Sequence, residues 1–440
     1  MAPAAALTTV QRLARIGYAT LLRLALPAYA LRLWWRGRAE PLYRFALRER
    51  VGLYREPARG SGWLWVHAVS LGETRAAAAL IDALRERRPG MRLLLTHGTA
   101  TGREAGAALL REGDAQAWLP VDTPGAVARF FDHFQPALGV LMETEVWPNL
   151  LLEAERRAIP MVLANARLSE RSARRGEQLS VLLRPAARSI SLVLAQTQLD
   201  AARMQAAGAR RVEVCGNLKF DVTPDAARLA RGTAWRQAAG RAVVLAASTR
   251  EGEEAALLAA WTQQSAPRPL LLIVPRHPQR FDEVAALMAA AGLSASRRST
   301  WVDVPPSEVA AADVWLGDSI GEMASYFGCA QVALLGGSFE PLGGQNLIEA
   351  AACGCPVLMG PHTFNFADAA ERALQEGAAQ RVVDIAEAVR LAVAMVTPDA
   401  SPSGAESAQA MPSAECALAF VARHRGAAAR MADGITALMR

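Results

Sequence analysis

The segment WLWVHAVSLGETRAAAALIDAL, from Trp63 to Leu84, changes from a continuous apolar run into an alanine- and leucine-rich pattern. The run from Trp63 to Val69 predicts a strand buried on both faces, and the spacing after it predicts a helix. We expect a tight turn between them, from Ser70 to Glu73. This order places the turn at the carboxyl edge of a parallel sheet, where such folds bind ligands.

Glu73 falls in the first turn of the predicted helix, where exposed N–H groups and the helix dipole favour an ionised carboxylate. An ionised carboxylate at the edge of a cleft is a candidate general base. Capping of the helix is the other interpretation of the same residue. The turn alone leaves both interpretations open.

Strand and helix patterns alternate through most of the chain. Further apolar runs in the N-terminal half lie at 92–96, 115–119, 138–141, 160–164, 191–195 and 212–214. A polar helical linker is expected at 221–240, and the alternation then restarts. Strand runs in the C-terminal half lie at 242–247, 270–275, 314–316, 332–335 and 356–359. The alternation predicts an α/β protein with two Rossmann-like, doubly wound parallel-sheet domains that face a deep cleft.

The domain limits follow from these patterns. We predict a membrane anchor at 1–40, an N-terminal domain at 41–220, a C-terminal domain at 221–412 and a C-terminal helix at 413–440. A segment rich in Ser, Pro and Ala, at 397–413, is expected to be a flexible excursion.

The composition indicates a globular protein with an anionic partner. The chain has 440 residues, 52% hydrophobic and 20% charged, and a formal net charge of +6. Nucleic acid, an acidic lipid surface and a phosphorylated substrate all fit this charge. Basic residues are scattered and aromatic residues make up only 6%, so nucleic acid is not an expected partner. Five cysteines in apolar surroundings, without zinc-site spacing, indicate reduced thiols.

The N-terminal arm carries an apolar run, from Ile16 to Trp35, interrupted by Arg23, Pro27 and Arg32. The segment 12–55 contains ten arginines but two glutamates. A basic flank of this kind fits the cytoplasmic face of a membrane with anionic lipid. We therefore predict an anchor that either spans the membrane or lies in its interface, with the body of the chain in the cytoplasm.

Lys219 is the one lysine among the 48 basic residues. GC-rich codon usage accounts for the excess of arginine but not for the retained lysine. Because an ammonium group and a guanidinium group differ at sites that need a compact charge, Lys219 is a candidate site residue.

The loop GGSFEPLGGQN, residues 336–346, has neither dinucleotide-fingerprint nor P-loop spacing. Its glycines allow close backbone approach, and a predicted helix N-terminus at Asn346 suits a phosphate. Glu349, in the first turn of that helix, suits ribose hydroxyls. A glycine-rich turn followed by a helix cap is the alternative interpretation.

Eight motifs in order carry a resemblance to a known family. They are VHAVSLGET, METEVWPNL, ANARLS, GNLKFD, STREGEE, VPRHPQRF, GDSIGEM and GGSFEPLGGQNLIEAAACGCPVLMGPHTFNF. The chain resembles, over nearly its whole length, the 3-deoxy-D-manno-octulosonic acid (Kdo) transferases. These are GT-B glycosyltransferases that move Kdo from CMP-Kdo onto lipid A precursor.

The resemblance implies roles for individual residues. Glu73 matches the catalytic base of the family, and Glu143 and Lys219 match positions that stabilise the transition state. The positions that match CMP-binding segments are Pro275, Arg276, Ile320, Gly321, Glu322, Asn346, Leu347, Ile348 and Glu349. This sequence departs from the family pattern at three positions: Gln345 stands where His is usual, Ile320 where Met is common and Asn217 where Ser is frequent.

The implied reaction is an inverting transfer in lipopolysaccharide biosynthesis that needs no cofactor and no metal. Its partners are CMP-Kdo, lipid A precursor and anionic lipid at the cytoplasmic face of the inner membrane. Arginines of the N-terminal half suit the phosphates of the acceptor. Two alternatives remain: another GT-B glycosyltransferase that uses a UDP-sugar, and a non-enzymatic protein that binds a membrane surface.

Overall fold

The computed structural model describes residues 7–55, 60–397 and 411–439. Contacts divide the chain into two compact units, Met1–Asp221 with Arg425–Arg440, and Val222–His424. We call them the N-terminal unit and the C-terminal unit. Of the predicted excursion, residues 398–410 lie outside the described residues.

The described part of the N-terminal unit contains a seven-stranded parallel sheet. Its strands are β1 (Leu64–His67), β2 (Leu93–His97), β3 (Ala115–Trp118), β4 (Leu138–Met142), β5 (Met161–Ala166), β6 (Leu192–Ala195) and β7 (Val212–Val214). Their order is β3-β2-β1-β4-β5-β6-β7. The order reverses between β1 and β4, and parallel α/β sheets bind ligands at such a reversal.

Helices cover both faces of this sheet. They are α1 (Thr9–Arg36), α2 (Leu71–Arg87), α3 (Ala100–Ala107), α4 (Pro124–Phe134), α5 (Pro148–Arg156), α6 (Glu170–Gln178), α7 (Ser180–Ser189) and α8 (Gln198–Ala207). Leu64 and Val66 of β1 pack with α2 on one face, and Trp65 packs with Phe130 of α4 on the other. Burial of alternate side chains on opposite faces explains why β1 is apolar from Leu64 to Val66.

The described part of the C-terminal unit repeats the design with a second seven-stranded parallel sheet. Its strands are β8 (Val243–Thr249), β9 (Leu270–Pro275), β10 (Ala295–Arg297), β11 (Val314–Leu316), β12 (Val332–Leu335), β13 (Val357–Met359) and β14 (Ala379–Arg381), in the order β10-β11-β9-β8-β12-β13-β14. The helices are α9 (Ala226–Ala239), α10 (Glu253–Thr262), α11 (Phe281–Ala290), α12 (Met323–Cys329), α13 (Leu347–Ala352), α14 (Ala367–Gln375), α15 (Ile385–Val396) and α16 (Ala414–His424).

Three local predictions are wrong. The expected turn at Ser70–Glu73 is already helix, because Ser70 is the N-cap of α2. The helix expected at 221–240 is present as α9, but it is packed into the C-terminal unit and is not a linker: its Trp235 is fully buried and its Gly232 lies against the backbone of Ser325. The expected single C-terminal helix is two helices, since Gly426 adopts a left-handed conformation between α16 and α17 (Ala427–Ala437).

Helix α17 belongs to the N-terminal unit, although it ends the chain. Its Met431 and Ile435 are fully buried in the same core as α2. Asp221, the last residue of a short 3-10 turn (Leu218–Asp221), accepts hydrogen bonds from the N–H groups of Gly426 (2.5 Å) and Ala428 (2.6 Å). One carboxylate thus holds the start of α17 next to the point where the chain first leaves this unit.

Helix α1 packs on the N-terminal unit along one narrow face. Only Ala19 and Leu33 are fully buried in it, and Arg15 Nε donates to Asn149 Oδ1 at 2.7 Å. Its large exposed apolar side chains are Val10, Leu13, Ile16, Leu21, Leu24, Leu31, Trp34 and Trp35. Within the described ranges, no helix is both long enough and apolar enough to cross a bilayer. Of the two predicted forms of anchor, the interfacial one stays a prediction.

Candidate active site

Glu73 lies in the first turn of α2, directly after β1. Its Oε2 accepts from the N–H of Val69 at 2.8 Å, and its Oε1 accepts from the hydroxyl of Ser70 at 2.9 Å. The Ser70 oxygen in turn accepts from the N–H of Glu73 at 3.4 Å. This reciprocal pair is a helix cap. The cap itself is Ser70, and the Glu73 carboxylate supports it without accepting from an N–H group of the helix. The same bonds fix the carboxylate at the sheet edge.

Burial raises the pKa of the Glu73 carboxyl above its ordinary value, and the nearby charge of Glu143 adds to the increase. Hydrogen bonds from Val69 and Ser70 act in the opposite direction. The helix dipole alone favours the ionised form, so desolvation is the stronger effect here. A raised pKa makes the ionised form a stronger base than an ordinary glutamate.

Glu143 follows β4, the strand beside β1. Its backbone is left-handed, with φ of 59°, and its N–H donates to the carbonyl of Ala164 at 2.9 Å. Non-glycine residues are uncommon in this conformation and mark functional sites more often than chance. The effect of its charge on Glu73 shows that the structure brings these two predicted residues together.

Glu145 is a third carboxylate in this group, and the sequence analysis missed it. Burial raises the pKa of Glu145 to about 7, with further contributions from the charges of Glu73 and Glu143. The signal was present in METEVWPNL, which has two glutamates in alternate positions. The sequence does not show that Glu143 and Glu145 lie near Glu73, because the three residues follow different strands, β4 and β1, that are neighbours only in the folded sheet.

Glu145→Gln is expected to change how the stability of the N-terminal unit depends on pH. A carboxyl ionises near 4.5 in the unfolded chain and near 7 in the folded one. Between these values the folded state retains a proton that the unfolded state releases, so wild-type stability falls as pH rises. The variant lacks this loss. Between pH 5 and pH 8 its free energy of unfolding should therefore rise by up to about 3 kcal/mol relative to that of wild type.

Urea denaturation at both pH values measures this gain. Glu112→Gln, at an exposed loop position, is the control and should show no such difference. Equal pH dependence in wild type and Glu145→Gln would contradict the assignment of a buried, high-pKa carboxyl.

Lys219 lies half-buried in the 3-10 turn that follows β7. Its N–H donates to Asn217 Oδ1 at 3.0 Å, so the residue that departs from the family Ser supplies the turn with an acceptor. The N–H of Leu218 donates to Asn165 Oδ1 at 3.1 Å. Asn165 is fully buried, has φ of 53° and directly follows Ala164, which accepts from Glu143. It therefore connects the backbone segments that carry Glu143 and Lys219.

Asn165→Gly is expected to lower kcat about tenfold, the value of one lost hydrogen bond, with KM values unchanged. Glycine keeps the left-handed backbone but removes the oxygen that holds Leu218. Asn165→Asp retains an oxygen at this position and should recover most of the rate. Ala158→Gly is the control, because Ala158 also has a left-handed φ of 55°. Steady-state kinetics would contradict this role if Asn165→Gly kept the wild-type kcat.

In the C-terminal unit, Pro275 ends β9 and Arg276 follows it. The Arg276 N–H donates to the carbonyl of Thr249 at 3.0 Å, and its Nε donates to Gln345 Oε1 at 3.2 Å. The guanidinium is exposed and can reach an anion. Gln345, which stands in place of the family His, thus holds Arg276 through a side-chain oxygen.

The glycine-rich loop after β12 is held by Glu253, a residue that the sequence analysis did not single out. Its buried carboxylate accepts from the N–H groups of Gly337 (2.8 Å), Arg250 (2.8 Å) and Phe339 (3.2 Å). A Cβ at Gly336 would lie 2.3 Å from the carbonyl oxygen of Ser248, so no other residue fits there. In the C-terminal sheet the strand order reverses between β8 and β12. The bonds of Glu253 therefore tie together the two loops that follow these strands.

The Ile320–Glu322 segment precedes α12. Ile320 is 79% exposed, and Gly321 has φ of 83°. Glu322 accepts from Arg231 (2.9 Å) and Arg298 (3.0 Å). Burial opposes ionisation of Glu322, but hydrogen bonds from Ser319 and Arg298 outweigh it and lower its pKa. The Glu322 side chain is therefore engaged within the unit, and the carbonyl of Gly321 accepts from Arg228.

Asn346 is the N-cap of α13, where its side chain accepts from the N–H of Ile348 at 3.2 Å. Leu347 and Ile348 are each 1% exposed, so their side chains are not available to a ligand. Glu349 is half-buried. The part of the chain that the structure describes has no group of three or more His, Cys, Asp or Glu placed to hold a metal ion. The roles assigned to these residues, and the absence of a cofactor, stay predictions.

Two solved structures are similar to this chain in fold. HepE of Anabaena in complex with UDP has a TM-score of 0.54 and 14% identity, covering 86% of this chain and 100% of that chain. UDP-GlcNAc 2-epimerase from Neisseria meningitidis bound to UDP-GlcNAc has a TM-score of 0.54 and 13% identity, covering 86% and 99%. The predicted fold class, GT-B with two Rossmann-like domains, is confirmed; the predicted cleft stays a prediction.

Sequence comparisons identify the family of this chain. Residues 46–222 match the family model described as 3-deoxy-D-manno-octulosonic-acid transferase. A 3-deoxy-D-manno-octulosonic acid transferase of Bordetella pertussis is 47% identical over 95% of this chain and 98% of its own length. The transferase of that name from Haemophilus influenzae is 35% identical over 86% of this chain and 90% of its own. The chain belongs to the 3-deoxy-D-manno-octulosonic acid transferase family.

Proposed function

We propose that this protein transfers Kdo from CMP-Kdo to a sugar hydroxyl of lipid A precursor, with Glu73 as general base. The observation that carries the proposal is the Glu73 carboxylate, fixed by Val69 and Ser70 at the end of β1 and raised in pKa by burial. A sugar hydroxyl is a poor nucleophile near neutral pH, so a positioned base is needed.

The reaction is a single displacement. The acceptor oxygen forms a bond to the anomeric carbon of Kdo while the bond from that carbon to the CMP phosphate breaks. The hydroxyl proton passes to Glu73, and the bonding electrons leave with CMP. Attack opposite to the leaving group inverts the anomeric configuration, and no covalent sugar–enzyme intermediate forms.

The C-terminal unit supplies the donor side of the proposal. The phosphate of CMP gains negative charge as it leaves, and the exposed guanidinium of Arg276, held by Gln345, suits that charge. Glu349 suits the ribose hydroxyls. The N–H groups of Gly337 and Ile348 already donate to Glu253 and Asn346. The glycines of the loop contribute instead by letting the nucleotide approach its backbone closely.

Glu143 and Lys219 are proposed to stabilise the transition state. The anomeric carbon becomes electron-poor as CMP departs, which a neighbouring carboxylate favours. Lys219 brings a compact positive charge to the carboxylate or phosphate of the donor. Asn165, which links the backbone segments of both residues, acts as a positioning residue.

The proposed location is the cytoplasmic face of the inner membrane. The exposed apolar side chains of α1 include Leu24, Trp34 and Trp35, and its arginines include Arg23 and Arg32. An amphipathic helix of this composition lies in the interface of a bilayer with anionic lipid. Such an anchor keeps the acceptor-binding unit beside its lipid substrate.

Mass spectrometry of the product tests the proposal. Purified protein incubated with CMP-Kdo and tetraacyl lipid A precursor, with and without EDTA, should yield an acceptor heavier by one or more Kdo units in both cases. CMP should raise the melting temperature and UDP should not. Stabilisation by UDP alone would favour a UDP-sugar glycosyltransferase, and no product with any nucleotide sugar would favour a non-enzymatic membrane-surface protein.

A further inference from the structure

A cavity of about 680 Å³ lies in the N-terminal unit among α6, α7 and α8. Its apolar lining includes Leu168, Leu179, Leu183, Ile190, Val193 and Met204. The volume falls within the range of small-molecule sites in proteins. No step of the proposed reaction uses this space.

Helix α6, with the sequence ERSARRGEQ, adjoins this cavity and has no buried side chain. At its end, Leu179 is 58% exposed. Ile190, Val193 and Met204 are buried at the base of the cavity, but Leu168 and Leu183 are half-exposed. Together with Leu179 they leave apolar surface in contact with water, which is unfavourable unless a ligand covers it. The missing contacts are apolar, so the ligand must present an apolar part to the wall.

Arginines stand among the residues that line the cavity. They are Arg174, Arg175, Arg184 and Arg203. Arg203 and Arg184 donate to the carbonyls of Leu168 (3.2 Å) and Ala206 (3.4 Å), which fixes their side chains near the cavity. Glu170 and Glu177 also line the cavity, and Arg174 pairs with Glu170 at 2.6 Å. The remaining excess of guanidinium groups matches a molecule with an anionic head and a hydrocarbon tail.

The position of the cavity connects it with the candidate active site and with α1. Thr144 and Val146 line it, and these residues alternate with Glu143 and Glu145 in the loop after β4. Helix α7, which supplies much of the wall, also packs against α1. The loop that carries Glu143 and Glu145 therefore forms part of the cavity wall, and α7 connects the cavity with α1.

We propose that this cavity binds one acyl chain of the lipid acceptor, with the arginines facing the anionic sugar head. The proposal rests on the proposed function for the identity of the acceptor. Acyl-chain binding at this point holds the sugar beside the loop that carries Glu143 and Glu145. A second copy of this chain, covering the same wall, is the competing occupant.

Leu183→Trp tests the proposal by filling the cavity. Its KM for tetraacyl lipid A precursor should rise at least about tenfold, the value of roughly two lost methylene contacts. Its kcat, its KM for CMP-Kdo and its activity on the fully deacylated acceptor should remain at wild-type values. Val181→Trp is the matched control, because Val181 lies on the same helix, is 43% exposed and does not line the cavity.

Equal effects in the two tryptophan variants, or an unchanged KM in Leu183→Trp, would overturn the proposal. Photocrosslinking separates it from the proposed function, since the wild-type protein needs no donor to bind a diazirine-labelled tetraacyl precursor. Adducts within residues 168–190 support the cavity even if no transfer occurs. Adducts confined to α1, or a dimer that protects α6 from hydrogen exchange at assay concentration, would overturn it.

Discussion

Glu73→Gln is expected to lower the rate of Kdo transfer about 10²- to 10⁴-fold, the contribution of a general base. Glutamine has the same shape, and its amide oxygen can still accept from the N–H of Val69, so the start of α2 should stay intact. What the variant loses is the ability to take a proton from the acceptor. Binding of CMP, measured by thermal shift, should therefore be unchanged.

The matched control for this variant is Glu86→Gln, at an exposed position on the same helix. It should transfer Kdo at the wild-type rate. In the wild-type protein, kcat/KM should fall as the pH is lowered through the pKa of Glu73, and burial places that fall above the ordinary glutamate range. Normal turnover by Glu73→Gln would remove this residue as the base.

Lys219→Arg is expected to lower kcat on the order of 10²-fold, as for the loss of one transition-state contact. The positive charge remains, but the guanidinium is planar, larger and less able to act as a point charge. The backbone of the turn is held by Asn217 and Asn165, so folding should not depend on the side-chain change. Rates at saturating CMP-Kdo and acceptor measure the effect.

Arg211→Lys is the reverse exchange at a surface position of the same unit, where Arg211 pairs with Glu213. It should leave transfer and melting temperature unchanged. Wild-type kcat in Lys219→Arg would mean that the retained lysine has no catalytic significance.

Each strand of the N-terminal sheet could be predicted because it contains at least two apolar residues, including the edge strands β3 (AQAW) and β7 (VEV). The C-terminal sheet could not, since β10 (Ala295–Arg297) and β14 (Ala379–Arg381) are three-residue strands at its two edges. Edge strands are covered less, so polar residues are tolerated and no apolar run marks them. Tertiary pairing alone defines these two strands.

The candidate site was predictable where one segment carries the signal. Glu73 follows from a strand, an N-cap and a helix that are contiguous in the sequence. Glu145 and Glu253 were missed because their environments come from other segments: Glu145 lies near charges after β1, and Glu253 bonds to a loop 84 residues later. The helix-dipole argument predicted a lowered pKa for Glu73, whereas desolvation raises it. A sequence does not show how much water a side chain loses on folding.

Helix α17 ends the chain but packs in the N-terminal unit, and this affects how that unit can be produced alone. A fragment that stops at Asp221 would leave the core partners of Met431 and Ile435 open to water and should aggregate. Because Asp221 bonds to Gly426, the two ends of the N-terminal unit are already adjacent. A short glycine–serine bridge in place of residues 222–424 should therefore give an autonomous acceptor-side domain for expression and spectroscopy.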